Sequence, residues 1–406
     1  MDILLLIVIS VVTLALLFDF SNGFHDAANS VATVVATRAM PARWAVWFSA
    51  ACNFAAYFFV GTAVANTVAK TVKPGHVTVA VVFAALFAAI AWNFLTWHFG
   101  MPSSSSHAII GGLVGAGVAA GGVSAVSWGS VWKTVAAIVA SPAVALTVAA
   151  VATWLVMGIQ RVTRLSDDAK PFKYLQLLSA AAVSFGHGAN DAQKTMGVIA
   201  ALLAGAGYLD VTAGSSSLPV PEWAALASYA AIAVGTAWGG WKIIDTMGNR
   251  LTKLSARTGV SANIGATTAI FGATALGVPI STTHAAASSV IGAGTASGQG
   301  ANRAVIIQMV TAWVATIPAT AAVSWVVYEA TALPGFASVV AVGVLLVLLL
   351  CGIAWTTMQA MSAHELEAEV QATAGEDTAS GPDLAACPEP TTVELSSVES
   401  ESRAVA

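Results

Sequence analysis

Apolar residues run through this chain in long blocks, and the polar residues collect in short gaps between them. A block of about 20 apolar residues can span a bilayer as a helix. Candidate spans lie at 3–18, 44–65, 78–97, 103–120, 134–158, 175–205, 222–240, 260–275, 282–297, 304–328 and 336–359. The pattern predicts an all-α polytopic membrane protein with about ten to twelve transmembrane or re-entrant helices. Nothing alternates in the manner of barrel strands. The first block, MDILLLIVISVVTLALLFDF, lacks a basic leader and a small-residue cleavage signature, so it reads as a retained span.

Composition sharpens this picture. Of the 406 residues, 57% are hydrophobic and 9% charged, where a soluble chain carries about a quarter charged. The net charge of −4 comes from one end. Ten of the 20 acidic residues follow residue 359, so 360–406 is expected to be a disordered acidic tail. Cys52, Cys351 and Cys387 are scattered and suggest neither a metal site nor a disulfide framework.

Short loops rich in Lys and Arg favour the cytoplasmic side. Loop 159–173 holds Arg161, Arg164, Lys170 and Lys173, and loop 242–257 holds Lys242, Arg250, Lys253 and Arg257. Both are expected inside. The connection 206–222 has acidic residues and no basic one, and is expected outside.

Two polar motifs interrupt the apolar blocks, and each occurs twice in the same order. GFHDAANS (23–30) aligns with GANDAQKT (188–195), and GMPSSSSH (100–107) with GVPISTTH (277–284). Duplication of this kind divides the chain into a first repeat (1–158), a linker (159–173), a second repeat (174–359) and the tail (360–406). The second aspartate motif follows a cytoplasmic loop while its counterpart follows the N-terminus. The repeats are therefore expected to be inverted, with the N-terminus external and the tail cytoplasmic. Lys70, Lys73 and Lys133 then fall outside, against 11 basic residues inside. Inverted repeats are typical of secondary transporters, with the substrate held near the midplane.

The serine motif has the chemistry of an anion site. Pro102 suits the first turn of a helix. Ser103 to Ser106 place hydroxyls beside the free N–H groups of a helix start, where the dipole also favours negative charge. Ser281, Thr282 and Thr283 repeat this arrangement. Ordinary capping accounts for one such motif; two, joined to paired aspartate motifs, point to a site. Intramembrane carboxylates mark ion pathways. Asp26 with Asn29, and Asp191 with Lys194, are each three apart and can share a helix face. His25 and His187 can relay protons near neutral pH; His107 and His284 are expected to support the site. Two carboxylates beside an anion would repel it, so a cation must enter with it: a proton, Na⁺ or a divalent metal. That is the logic of symport. The candidate substrate ligands are Ser104, Ser105, Ser106, Ser281, Thr282, Thr283, Asp26, Asn29, Asp191, Gln193 and Lys194. The candidate coupling-ion ligands are Asp26, Asp191, Asn190, His25 and His187.

NGFHDAANSVAT, SFGHGANDAQKTMG and the paired P-x-S-[ST]-[ST]-H motifs resemble the inorganic phosphate transporter family over about residues 1–355. The resemblance implies a helical carrier that moves phosphate with a coupling cation, commonly as a homodimer. It points to Asp26, Asn29, Asp191 and the hydroxyls at 104–106 and 281–283 as ligands. The widespread form of the second motif has Asn where Lys194 stands and suits sodium. GANDAQK, together with His25, resembles the bacterial low-affinity branch in the inner membrane. That branch is associated with proton-driven uptake of phosphate, often as a metal–phosphate complex. The Lys194 ammonium can stand in for a bound Na⁺ beside Asp191.

The alternatives are a sodium-coupled phosphate carrier and a carrier of another oxyanion such as sulfate. An intramembrane hydrolase lacks its G-x-S-x-G elbow. An ATP-driven pump lacks its G-x-x-x-x-G-K-[ST] loop. A channel fits paired sites within one chain poorly. No permanent cofactor or metal and no nucleic acid is expected; lipid surrounds the chain.

Overall fold

The computed structural model describes residues 2–167, 169–210, 217–368 and 370–371. These residues fold into helices, and the isolated β-bridge among them pairs Val72 with Val126. In the first half, α1 (Ile3–Asp26) starts at Asp2, whose carboxylate accepts the Leu4 N–H at 3.1 Å. It breaks at Ala27 and continues as α2 (Ala28–Ala36). There follow α3 (Ala42–Ala55), α4 (Ala63–Ala69), α5 (Val79–His98), α6 (Ser105–Gly121) and α7 (Trp128–Thr163). The second half runs through α8 (Lys170–Gly205), α9 (Glu222–Trp238), α10 (Trp241–Asp245), α11 (Ala256–Ala275), α12 (Thr282–Ala296) and α13 (Arg303–Thr331). Helix α14 (Phe336–Met358) follows.

Five stretches are long and apolar enough to cross a membrane: Ile3–Ala36, Val79–His98, Trp128–Thr163, Arg303–Thr331 and Phe336–Ala368. A sixth candidate is the pair Ala42–Phe58 and Ala63–Ala69, bent by 89°. Several other expected spans are short for a membrane. Helices α6 and α12 have only 17 and 15 residues because each starts at its Pro-Ser motif, deep inside the protein. Large apolar side chains such as Leu155, Val314 and Val347 stay exposed along α7, α13 and α14. A bilayer would cover that surface. The chain is a multi-pass membrane protein.

The two halves pack alike. Helix α6 lies on α5 and α13, and α12 lies on α11 and α7. Both α7 and α13 carry an interior proline, Pro142 and Pro318, which removes one backbone donor from each. Two ends can be told apart by their hydrogen bonds. At one, Thr37 donates to Gln176 at 2.8 Å, the Arg257 guanidinium to Asp167 at 3.0 Å, and the Asn302 N–H to the Leu251 carbonyl at 2.8 Å. At the other, the Lys73 N–H donates to the Ala125 carbonyl at 2.9 Å, the Leu218 N–H to Asn66 at 2.7 Å, and the Tyr208 hydroxyl to Asp2 at 3.3 Å.

Residues Met1–Glu367 form one unit; of the second, Ala368–Ala406, only residues 368, 370 and 371 are described. The start of the expected disordered tail is ordered. Residues 363–368 are helical, because Leu366 is buried and Ser362 donates its N–H and hydroxyl to Glu365. The Ala42 N–H donates to Glu367 at 3.0 Å. The rest of that expectation, from residue 372 on, lies outside the described residues.

Candidate functional site

The two aspartate motifs occupy the end of α1, the start of α2 and the middle of α8. The two serine motifs start α6 and α12. Ser104 and Ser281 cap these last helices identically, accepting the N–H of His107 at 3.2 Å and of His284 at 3.1 Å. Each hydroxyl thereby satisfies a free donor of the helix start. The glycine that opens each aspartate motif permits a close helix crossing. A Cβ on Gly23 would lie 2.2 Å from the Ile232 carbonyl oxygen, and one on Gly188 2.4 Å from that of Asn53.

The four motifs meet at one buried point. None of the candidate ligands is more than 4% exposed. The Thr282 hydroxyl lies 3.2 Å from an Asp26 carboxylate oxygen and 3.3 Å from one of Asp191, sharing its single proton between them. Asn29 donates its amide to Thr282 at 3.3 Å and to Thr283 at 3.2 Å. The equivalent contact in the other half is charged: Lys194 donates to Ser106, and also to the Ile280 carbonyl at 3.1 Å. Its Nζ lies 2.7 Å from Asp191. The Ser105 hydroxyl, the equivalent of Thr282, is buried without a hydrogen-bond partner, as is Asn29 Oδ1.

The histidines divide into two pairs. His25 Nδ1 lies 2.7 Å from Asp26, while its Nε2 meets Thr96 at 3.1 Å and Ser103 at 3.3 Å. His187 Nε2 stands 4.0 Å from Asp26 and 3.7 Å from Asp191, and its Nδ1 is 3.3 Å from Asn53. Asp26, His187 and Asp191 offer ligand atoms within 4.8 Å of one another, close enough to hold a cation. His107 and His284 lie beside each other with ring centroids 4.5 Å apart, and His284 stacks on Trp313 at 3.9 Å.

Two candidates point elsewhere. Gln193 accepts the Val64 N–H at 2.9 Å, which fixes the start of α4. Asn190 donates to Thr274 at 3.0 Å and to the Val278 carbonyl at 3.3 Å, and accepts the Ile280 N–H, so it holds the segment that leads into α12. Other side chains were missed from the sequence. Asn22 donates to Asp191 at 3.3 Å, and Asn53 donates to Thr236 at 2.8 Å behind His187. Asn22 stands one residue before its motif, and it is the repeat partner of His187. That correspondence was the available signal.

A cavity of about 420 Å³ opens near the end of the molecule that holds Asp2. Lys70, Lys73, Ser127, Ser130 and Ser217 line it with Gly205 of α8. A much smaller apolar cavity lined by Val68, Val72, Val82, Leu113 and Val198 lies next to it, and Ala69, Val77 and Ala201 line both. Along α8, Val198 is one turn from Lys194.

Residues 22–324 match the model of the Phosphate transporter family. A probable low-affinity inorganic phosphate transporter from Rhizobium meliloti is 46% identical over 330 residues, covering 80% of this chain and 96% of its own. One from Bacillus subtilis is 41% identical over 336 residues, covering 81% and 98%. Among solved structures, one titled "The sodium-dependent phosphate transporter" is 26% identical with a TM-score of 0.70, covering 81% of this chain and 100% of that one.

Proposed function

This chain belongs to the phosphate transporter family, and from that premise we propose that it is a secondary symporter importing inorganic phosphate with protons. One observation carries this reading: Thr282, on a helix start from one half, bridges Asp26 and Asp191 from both. The hydroxyls and N–H groups of α6 and α12 supply neutral donors for a tetrahedral anion. Neutral donors hold an anion less tightly than an Arg clamp, which suits a carrier that must release its load.

Lys194 supports protons over sodium. Its ammonium lies where a cation beside Asp191 would be, and it already touches Ser106 of the opposite helix start. A fixed positive charge serves the anion, and the mobile charge is a proton. His25 and His187 sit against the two carboxylates, and an imidazole is a side chain able to pass a proton on. In this reading residues 1–158 and 174–359 are inverted repeats, with the N-terminus outside and the tail inside. The grouping of residues 37, 167, 251, 257 and 302 at one end, and of 2, 66, 73, 125 and 218 at the other, supports it.

Sodium coupling is the second reading. The solved relative bears a sodium-dependent title, and the Asp26–His187–Asp191 group could hold a cation. Phosphate entering as a metal complex would use the same group. Purified protein in liposomes decides among them. Labelled phosphate uptake is expected to follow an imposed pH gradient, with neither a sodium gradient nor added Mg²⁺ driving it. Uptake that tracks sodium alone overturns proton coupling; uptake that requires Mg²⁺ makes the complex the substrate. Sulfate uptake without phosphate uptake overturns the anion site.

A further inference from the structure

Asp19 lies on α1 two turns before Asp26, about 10 Å along the helix. It is fully buried, and both its carboxylate oxygens lack a hydrogen-bond partner. Thr195, Asn22, Asp191 and Lys194 face it from α1 and α8, and Tyr229 from α9. Several of the neighbouring oxygens are equally unused: Thr195 Oγ1, Asn22 Oδ1 and the Tyr229 hydroxyl have no hydrogen-bond partner. Among the described residues Asp19 has no ion-pair partner, and the charge of Lys194 reaches it only from a distance. Lys194 is committed to Asp191, Ser106 and the Ile280 carbonyl.

A buried carboxyl without an ion-pair partner, surrounded by neutral hydroxyl and amide groups, is costly to hold as a fixed charge, and binding and releasing a proton relieves that cost. A carboxyl of this kind inside a membrane protein marks an ion route by default. Asp19 is separate from the phosphate-facing cluster but linked to it. Asn22 donates its amide to Asp191 and leaves its own oxygen unused beside Asp19.

We infer that Asp19 is a proton-binding site of its own, carrying one co-transported proton apart from the Asp26–Asp191 cluster. It takes a proton from water when the transporter opens to one side and returns it to water on the other. No other bond changes. This inference rests on the proton-coupled reading above.

Liposomes at a series of imposed pH gradients test it. The slope of log phosphate accumulation against the gradient gives protons per phosphate. The slope is expected to fall by one in Asp19→Asn, while phosphate self-exchange, which needs no net proton movement, continues. Asp19→Glu is expected to keep the slope and move the pH midpoint of uptake. An unchanged slope in Asp19→Asn overturns the inference. So does loss of self-exchange in folded Asp19→Asn, which would place Asp19 on phosphate. Where Asp19→Asn does not fold, a midpoint in Asp19→Glu equal to that of the parent overturns it. A parent protein that follows only sodium defeats the proton-coupled reading instead, and is seen before any variant is made.

Discussion

Lys194 of α8 donates to Ser106, the hydroxyl at the start of α6, across the boundary between the halves. The same ammonium is 2.7 Å from Asp191, and neither partner of that pair is exposed. Removing one member of a buried ion pair leaves the other uncompensated, at a cost of about 3–5 kcal/mol. Lys194→Met is therefore expected to lower thermal stability in detergent by that order. Lys194→Asn restores the widespread motif and should make phosphate uptake respond to a sodium gradient. If Lys194→Asn uptake stays pH-driven and indifferent to sodium, the ammonium does not stand in for a bound cation.

Thr282 makes the hydroxyl bridge between the carboxylates. A hydrogen bond to a charged group contributes about 1.5–3 kcal/mol. Thr282→Val should reduce uptake at low phosphate by roughly ten- to a hundredfold, since 1.4 kcal/mol is tenfold. Thr282→Ser should stay within a few-fold. Initial rates over a range of phosphate concentrations give both numbers.

His187 stands between the carboxylates and is backed by Asn53. An imidazole titrates between about pH 5 and 8 and glutamine does not. His187→Gln should flatten the uptake–pH curve in that range. A curve of unchanged shape would remove His187 from the proton route.

Gly188 faces the backbone of Asn53 with no room for a methyl group. Gly188→Ala is expected to cost about 1–3 kcal/mol through overpacking. Asp167→Asn removes an ion pair in which Asp167 is 46% exposed but Arg257 only 9%, and should cost more than the roughly 1 kcal/mol of a surface pair because the guanidinium is left without its partner. Melting curves of the two variants test both values.

Much of this site was legible because it is written twice. The repeated motifs meet with Asp26, Asp191, Thr282 and Ser106 at one point, as their duplication led one to expect. Direction along a helix was harder to read. Gln193 neighbours Lys194 in sequence but points to the start of α4, since adjacent helical residues lie about 100° apart. Asp19 stood in an apolar run outside both motifs, and its repeat partner is Ser184, so no pairing drew attention to it. Helices α6 and α12 are short because their motifs start them inside the protein, and a hydropathy count alone does not tell such helices from full crossings.

Geometry and charge part company in this molecule. Where one half has Asn29 on Thr283, the other has Lys194 on Ser106; where one has Ser184, the other has Asp19. Repeated motifs thus enclose a lopsided electric field, with fixed positive charge toward α6 and a neutral amide at the corresponding place beside α12. An ion leaving toward one face climbs a different potential from an ion leaving toward the other. A few side chains can therefore make the two release steps unequal in rate, while the gradients across the membrane still set the net direction.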